Sequence, residues 1–422
     1  MSVEISSGNH QAWYKNRYGK KNDALPLVAK IQEAIPFSPR AKTGRNYVEP
    51  VKLTSSHGLT IKGGSSRGTV YAYETAVSPE MDEVEISGCE ITLRDRIAIG
   101  AVAAAMGGDT SYGPIVDETV MELMRSHRAY LEVFMLYGQS SIGTITGTPA
   151  TSGSNKVCTI TSATWAPGIW ARGENMRVDV YSAVGGTQRS NAAAMVVEAI
   201  DFTNRTVTLS GDSGDLGDIA SGDVIIIRGA DGATGMFTGI DKVVTNTGSL
   251  HGIDAAAYSL WRGNHKVLGT AAPLTMSVLH SATAEAVDRG LEGAFTWFVP
   301  TRSWQNLADN ESALRRYADQ NGKEYKQGAS KLSFIGANGA AMDIIPHPSV
   351  KWGEAFGLTP DEWVRGGESD LVDSLPGTPK DQFFHHVEGY SALDILNFSS
   401  QFLFCRKPSR QVKISNLLPS GI

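Results

Sequence analysis

The sequence has few cysteines, few charged residues for its length, and no long hydrophobic run. The three cysteines, Cys89, Cys158 and Cys405, are too few and too scattered for a disulfide scaffold or a CxxC metal site, and they suit a reducing compartment. Residues 97–108 form the longest weakly polar run, well short of the ~20 residues that cross a bilayer. The N-terminus lacks the basic region and apolar stretch of a signal peptide. We therefore expect no membrane partner.

An excess of charge of one sign is also missing. The formal net charge is −6, which argues against a protein that grips nucleic acid with its whole surface. Hydrophobic residues make up 41% of the 422 residues, which is enough for real cores. At ~150 residues per domain this length predicts two to three domains. The 45 glycines indicate many tight turns and much strand-and-loop structure.

The first 50 to 60 residues differ from the rest because they are basic and contain several prolines. Their prolines would interrupt any long helix, because proline lacks the N–H donor that a helix interior needs. These prolines are Pro26, Pro36, Pro39 and Pro50. Two interpretations remain open: a flexible terminus, or an arm that docks on a neighbouring chain. The basic residues that could make such a contact include Lys15, Arg17, Lys20 and Lys21.

An acidic stretch follows, and it alternates with the two-residue period of half-exposed strands at 69–74, 83–86 and 90–94. From residue 74 to residue 90 it has no Lys or Arg, and its carboxylates are Glu74, Glu80, Asp82, Glu83, Glu85 and Glu90. It has too few large apolar residues to form its own core. We predict an extended hairpin that lies against another surface, because isolated hairpins are marginal in water.

The clearest helix is predicted at 114–137. Apolar residues recur there at steps of three and four from Val116 to Phe134, and Gly138 ends the helix. Residues 139–249 are rich in Thr, Ser, Gly and Ala, and short strands separated by turns predict a small antiparallel barrel or sandwich inserted into a larger domain. These strands are expected at 157–161, 176–181, 195–200, 206–209 and 224–228.

The remainder of the chain is mixed α and β. A helix is predicted at 274–291, a buried strand at 295–299 and a second helix at 310–317. Asn338-Gly339 between two apolar runs predicts a hairpin. The last strands are expected at 401–405 and 411–415.

No catalytic or cofactor motif is present, because the sequence lacks a Walker loop, a GxSxG elbow, an HExxH pair and a Rossmann fingerprint. A calcium site is an alternative at four loop aspartates, Asp212, Asp215, Asp218 and Asp223. Their spacing is not that of an EF-hand, and Gly-Asp pairs are ordinary turn formers. Adjacent His385 and His386 in a strand point to opposite faces, so a metal site there is not favoured. We predict no catalytic residue, metal or cofactor.

The order of these parts resembles the major capsid protein of tailed bacteriophages, with its HK97-like fold. The strand Phe295-Thr-Trp-Phe-Val and the following Trp304 are similar to the family's entry into its axial domain. Lys331-Leu-Ser-Phe-Ile-Gly-Ala-Asn-Gly and Ile344-Ile-Pro-His-Pro are similar to its hairpin and outgoing strand. Gln401-Phe-Leu-Phe-Cys-Arg-Lys-Pro-Ser-Arg-Gln-Val-Lys-Ile resembles the closing strands of its peripheral domain.

The resemblance implies an α+β HK97-like capsid fold with an inserted small all-β domain. Its implied parts are an N-terminal arm (1–50), an extended E-loop hairpin (51–96), a peripheral domain with the spine helix (97–138), the inserted domain (139–249), a second peripheral segment (250–293), an axial domain (294–392) and returning peripheral strands (393–422). Covalent cross-linking of subunits, known in the founding member, has no matching motif in this sequence.

The resemblance also implies a structural protein and not an enzyme. The chain would assemble with itself into pentamers and hexamers of an icosahedral shell around packaged double-stranded DNA, within the virion, after assembly in the host cytoplasm. Because the sequence begins at Met1, a separate scaffolding protein is expected, beside a portal and a decoration or cement protein. The acidic hairpin is expected to contact basic groups of another subunit, either the arm or an exposed face of the spine helix at Arg125 and Arg128. An encapsulin-type compartment, or an enzyme with an appended β-domain, is the alternative.

Overall fold

The computed structural model describes residues 28–42, 45–64, 68, 70–100, 115–189, 195–211, 216–231, 235–308, 332–373 and 384–418. Its helices are α1 (Lys30–Ala34), α2 (Ile115–Tyr137), α3 (Pro167–Trp170), α4 (Ile240–Thr245) and α5 (Met276–Val287), with further helical residues at 301–308. The strands of the first half are β1 (Phe37–Pro39), β2 (Tyr47–Lys52), β3 (Met81–Ile86), β4 (Cys89–Ala98), β5 (Gly143–Ser152), β6 (Asn155–Ile160), β7 (Arg177–Tyr181), β8 (Met195–Asp201), β9 (Thr206–Ser210) and β10 (Val224–Ile227). Those of the second half are β11 (Ser249–Leu250), β12 (Ile253–Asp254), β13 (Asn264–Ala272), β14 (Phe295–Val299), β15 (Leu332–Ile335), β16 (Ala341–Pro346), β17 (Glu354–Leu358), β18 (Trp363–Asp373), β19 (Phe384–His386), β20 (Ala392–Cys405) and β21 (Val412–Leu417).

The long helix α2 confirms the helix predicted at 114–137. Its described apolar stripe is buried, including Leu123, Leu131 and Phe134. The stripe packs on a five-stranded sheet in which β20 pairs with β4 on one side and with β18 and β19 on the other, while β1 adds in parallel to β18. This arrangement places the helix across the sheet, with a buried layer between them.

A second sheet has six strands in the order β13-β21-β17-β14-β16-β15, and α5 packs on it. The predicted strand at 295–299 is confirmed as β14, which is almost fully buried. The hairpin at Asn338-Gly339 is confirmed as well: β15 and β16 pair antiparallel, and Gly339 takes the positive φ of 75° that the turn requires. Strand β21 belongs to this sheet and β20 to the other, so the described residues 393–418 contribute to both. The predicted helix at 310–317 lies outside the described residues.

Strands β5 to β10 form a closed barrel in the order β10-β5-β6-β9-β8-β7. Its interior is lined by apolar side chains, among them Val178, Val197 and Leu209, all at 0% exposure. Strand β5 was not predicted, because its threonines and glycine give a weak apolar pattern. The barrel interior and the layer under α2 belong to one continuous apolar cluster. Backbone hydrogen bonds also join the segment that follows β6 to the loop that precedes β17. They run from Trp352 N to Trp165 O at 2.9 Å and from Gly353 N to Ala163 O at 2.8 Å.

Of the three strands predicted between residues 69 and 94, those at 83–86 and 90–94 are confirmed within β3 and β4, and the one at 69–74 is wrong. No strand covers the described residues 70–74, and the acidic strand β3 pairs instead with β2, where Pro50 lies opposite Glu83. Each strand of a two-stranded ribbon is an edge strand, so proline is tolerated there although it has no N–H group to donate. Glu90 belongs to β4 and therefore to the five-stranded sheet rather than to the hairpin.

Candidate interaction surface

The β2–β3 ribbon has a buried base and an extended far end. At the base, Tyr47, Val84 and Ile86 are buried, and the Tyr47 ring lies 4.3 Å from that of Phe402 between centroids. Farther out, the backbone groups of His57 and Val77 exchange hydrogen bonds of 3.0 and 2.6 Å, so the two arms of the connection stay side by side. We call the described residues from 57 to 77 the ribbon tip.

The ribbon tip exposes large apolar side chains to a degree that is unusual for a soluble chain. The exposed fraction is 77% for Leu59, 81% for Ile61 and 82% for Tyr73. Met81, at the outer end of β3, is 69% exposed. Single exposed apolar residues are ordinary, but a group of them on one projecting segment marks an interaction site. Sequence reasoning took Tyr73 as part of a half-exposed strand at 69–74 and did not single out Leu59, Ile61 or Met81, so it missed this uncovered apolar surface.

All six predicted carboxylates of the acidic stretch are exposed, and none of them has an ion pair among the described residues. Glu80 accepts a hydrogen bond of 3.0 Å from the Tyr258 hydroxyl, which raises the pKa of Tyr258. Glu85 accepts one of 2.8 Å from the Asn46 amide. Apart from such neutral contacts, the negative charge of the ribbon faces outward.

The predicted basic partners are not brought to this surface within the chain. Lys15, Arg17, Lys20 and Lys21 lie outside the described residues. Arg125 and Arg128 were expected on an exposed face of the helix, but both are half-buried on α2, and Arg125 is engaged in contacts within its own chain. The reason at Arg128 is that α1 packs beside it, and the Gln32 amide donates to its carbonyl at 2.6 Å.

Three described basic residues of the arm have partners in their own chain. Lys42 lies 3.3 Å from Glu368, and Arg40 lies 3.6 Å from Glu49. The Lys30 ammonium donates to the carbonyl of Pro346 at 2.5 Å. These contacts tie residues 30–42 to the body of the chain rather than to the ribbon tip.

Metal chemistry finds no support among the residues that the structure describes, where no group of three His, Cys, Asp or Glu side chains is arranged for an ion. Asp212 and Asp215 are outside that part of the chain. The Asp223 carboxylate is occupied by the Arg189 guanidinium, at 2.9 to 3.1 Å, and by the amide of Ala220 at 2.8 Å. Within the same ranges, no helix combines the length and apolar character needed to cross a membrane.

A buried group of charges that the sequence did not indicate lies where the barrel meets the two sheets. The Lys413 ammonium contacts the Asp241 carboxylate and lies 2.9 Å from that of Glu354. Burial raises the pKa of Asp241, but the positive charges of Lys413 and then of Lys351 outweigh this effect and lower the pKa to about 2. The Tyr137 hydroxyl at the end of α2 donates to Glu354 at 3.1 Å. The group therefore joins α2, α4, β17 and β21 at one point.

No protein-family model and no curated protein is similar to the chain in sequence. Among solved structures, it is similar to a chain of the capsid asymmetric unit of cyanophage A-1(L), with a TM-score of 0.52, 10% identity, and coverage of 94% of this chain and 95% of that one. A chain of the mature capsid of bacteriophage PhiM1 has a TM-score of 0.47 at 9% identity, covering 100% of this chain and 93% of that one. The SrpI encapsulin of Synechococcus elongatus has a TM-score of 0.39 at 7% identity, covering 98% and 96%.

The likeness to the cyanophage chain extends over almost the full length of both chains, and at this identity it concerns the fold. The fold of this chain contains the parts that the sequence analysis expected in a capsid chain. These parts are a long helix across a sheet, a projecting ribbon and a mixed α/β body. The resemblance stated from the sequence is thus confirmed at the level of architecture. The chain has the α+β, HK97-like fold of tailed-phage capsid proteins.

Proposed function

We propose that the chain is the major capsid subunit of a tailed phage, which assembles with copies of itself into an icosahedral shell around double-stranded DNA. The observation that carries this proposal is the ribbon tip: a projecting, apolar segment with a buried base, on a capsid fold. A shell is built from heterologous contacts that repeat around five- and six-fold axes. A segment that reaches away from its own core suits such a contact.

The energetics favour burial of the ribbon tip against another copy. Covering a large apolar side chain stabilises a contact by about 1.5–3 kcal/mol relative to leaving it exposed. Leu59, Ile61 and Tyr73 are each more than three-quarters exposed, so most of that free energy is still to be gained. The outward carboxylates add orientation: exposed charge pairs contribute little to affinity, but they steer encounters and disfavour wrong partners.

Further parts of the proposal follow from the sequence resemblance. We infer an N-terminal arm at 1–50, an E-loop at 51–96, peripheral segments at 97–138, 250–293 and 393–422, and an axial domain at 294–392. The barrel within 139–249 is an insertion into this fold. A scaffolding protein, a portal and a cement protein are the expected partners, with assembly in the host cytoplasm and no catalytic role.

Electron microscopy of the purified chain, alone and with a candidate scaffolding protein, tests the function. We expect rings, tubes or closed shells built from five- and six-fold units. A chain that stays monomeric under all these conditions would contradict the capsid function. Closed shells that hold a cargo protein and no DNA after production in the native host would favour the encapsulin alternative instead.

The role of the ribbon is tested by replacing Leu59 and Ile61 with Ser, and separately Glu83 and Glu85 with Lys. We expect both double variants to assemble poorly while their thermal unfolding changes by less than about 1 kcal/mol, the range of surface substitutions. Glu174 and Glu388, which are exposed, lie outside the ribbon and have no ion pair among the described residues, provide the matched control for the charge change when replaced with Lys. Normal assembly of the two ribbon variants would show that the ribbon is a solvated edge.

A further inference from the structure

A cleft of about 240 Å³ lies where α2, the barrel and the loop after β16 meet. Its walls include Ala129 of α2, Phe202 in the turn between β8 and β9, and Pro348 of the loop. Pro167 and Ala171, at the two ends of α3, line it as well. A cavity of about 150 Å³ holds a benzene ring, so this cleft has room for one large aromatic side chain. We call it the α2–barrel cleft.

The α2–barrel cleft is apolar and open to solvent. Ala129, Ala171 and Pro348 are only half-buried. Phe202 is 47% exposed, and its ring lies edge-on to that of Trp165 with 5.9 Å between centroids. Trp165 itself is buried, so it holds the Phe202 ring in place. An apolar cleft with a fixed, exposed aromatic ring on its wall is typical of a surface that receives a side chain of another molecule.

The cleft also contains a donor without a partner. Arg172 is the only charged residue among the described ones that line the cleft. Its side chain is 13% exposed, and its Nη2 donates to the Glu122 carboxylate at 2.9 Å and to the Ser126 hydroxyl at 3.1 Å. Its Nη1 is buried and has no hydrogen-bond partner in the described part of the chain. Because a buried donor without a partner costs free energy, the site favours a side chain that brings an acceptor.

Tyrosine matches both features, since it has an apolar ring and a hydroxyl oxygen that can accept a hydrogen bond. The ribbon tip presents two tyrosines, whose rings lie edge-on with 5.8 Å between centroids. Tyr71 is 44% exposed, and the Lys62 ammonium lies 5.6 Å from its ring centre. Tyr73 is 82% exposed and is therefore the more available of the two. The exposed carboxylate of Glu74 follows directly and gives the tip the charge that an arginine attracts.

We propose that the α2–barrel cleft receives Tyr73 from the ribbon tip of a second copy of this chain, with the tyrosine oxygen accepting from Arg172 Nη1. Tyr73 stays exposed within its own chain, so the contact is not made there. A ring around a five- or six-fold axis needs two different patches on every copy, and the tip and the cleft are such a pair. The inference rests on the proposed function, because it names the surface that the ribbon tip meets.

Photochemical cross-linking of the full chain tests the contact. Tyr73 is replaced with p-azidophenylalanine, and this chain is assembled together with ¹⁵N-labelled wild type so that links between copies are recognised by mass. We expect mass spectrometry to identify links from position 73 to Ala129, Phe202 or residues 165–172 of another copy. The same analogue at Tyr390, which is 65% exposed and outside the ribbon, is the matched control and should give no link to the cleft.

A second measurement approaches the contact from the side of the cleft. Phe202→Ser removes one wall, and the critical concentration for assembly should rise about tenfold or more, as expected for losing the burial of one large apolar side chain. Val184→Ser, at a residue that is 42% exposed in another turn of the barrel, is the control and should assemble like the wild type. Circular dichroism checks that both variants are folded.

Shells that form without a link from position 73 to the cleft would overturn this contact and leave the proposed function standing. Val28 also lines the cleft, so the chain's own segment before it is the other candidate occupant, and its presence there would give this same result. An unchanged critical concentration of folded Phe202→Ser would also overturn the contact. A wild-type chain that forms no shells would instead contradict the proposed function, and the contact with it.

Discussion

Replacing His127 with Gln should make the folded chain less sensitive to acid. His127 lies fully buried on α2 against β20, where its Nε2 is 2.7 Å from the Ser399 hydroxyl. Burial lowers the pKa of this ring from 6.5 to about 4. The nearby Asn397 side chain and the charge of Asp370 oppose the shift, while the charge of Arg365 adds to it.

The direction and size of the effect follow from linkage. Between pH 6.5 and about 4 the unfolded chain binds a proton at His127 that the folded chain does not, so stability falls as the pH falls through this range. Each pH unit of difference corresponds to about 1.4 kcal/mol, which gives at most about 3 kcal/mol for this one residue. Above pH 6.5 the contribution is fully present, and below about pH 4 it is fully lost.

The assay is urea unfolding of the unassembled chain at several pH values, compared between wild type and His127→Gln. A Gln side chain keeps a polar group near Ser399 but cannot bind the proton. The variant can be less stable at neutral pH, but the difference between the two proteins should shrink as the pH falls from 6.5 to about 4. His251, whose pKa burial also lowers to about 4, stays in both proteins and cancels in the comparison. Parallel stability curves would refute the reasoning.

Three further predictions concern packing. Gly367→Ala should destabilise the chain by more than ordinary overpacking, which costs about 1–3 kcal/mol, because a Cβ there would lie 1.9 Å from the Ser400 carbonyl oxygen. The control is Gly269→Ala on β13, where a Cβ meets no atom within 4 Å. Thermal unfolding of this control should be nearly unchanged. Lys413→Met should cost about 3–5 kcal/mol in urea unfolding, since it removes the cation that contacts both Asp241 and Glu354 and leaves them only the nearby charge of Lys351; a loss below about 1 kcal/mol would show that the group is well solvated. Replacing residues 144–224 with a short Gly/Ser linker should leave a soluble body that is folded by circular dichroism, because Thr144 and Val224 pair directly across β5 and β10. Removing residues 142–248 instead also removes Asp241, the partner of Lys413, and should yield aggregated protein.

Local patterns predicted the elements whose residues alternate or recur within one segment. The stripe from Val116 to Phe134 predicted α2, and the apolar run at 295–299 predicted β14, because each pattern records the burial of one face. Strand β2 was missed since Pro50 argues against a strand unless its edge position is known. Strand order and register depend on pairings between distant residues, which no local pattern contains.

The exposed apolar surface and the buried polar groups could be predicted even less from local patterns, because they depend on how distant segments pack. The acidic stretch was predicted as a half-exposed hairpin that lies against another surface, but which apolar side chains of the ribbon tip stay uncovered depends on the whole fold. Glu132 and His347 lie 215 positions apart in sequence, and each one alone is an ordinary helical or loop residue. Only the packing of α1, α2 and the loop after β16 brings them together and buries both side chains.

Closure of the six-stranded barrel also determines where foreign sequence can be carried. A closed barrel has no free strand edge, so its turns can change without exposing a template for aggregation. The turn between β5 and β6 is built from small polar residues around Gly153, which has a φ of 63° and open space at its Cβ position. It is followed directly by paired strands, so an inserted peptide would be anchored at both ends. If the barrel faces outward in an assembled particle, each copy would then present one grafted epitope at a fixed spacing.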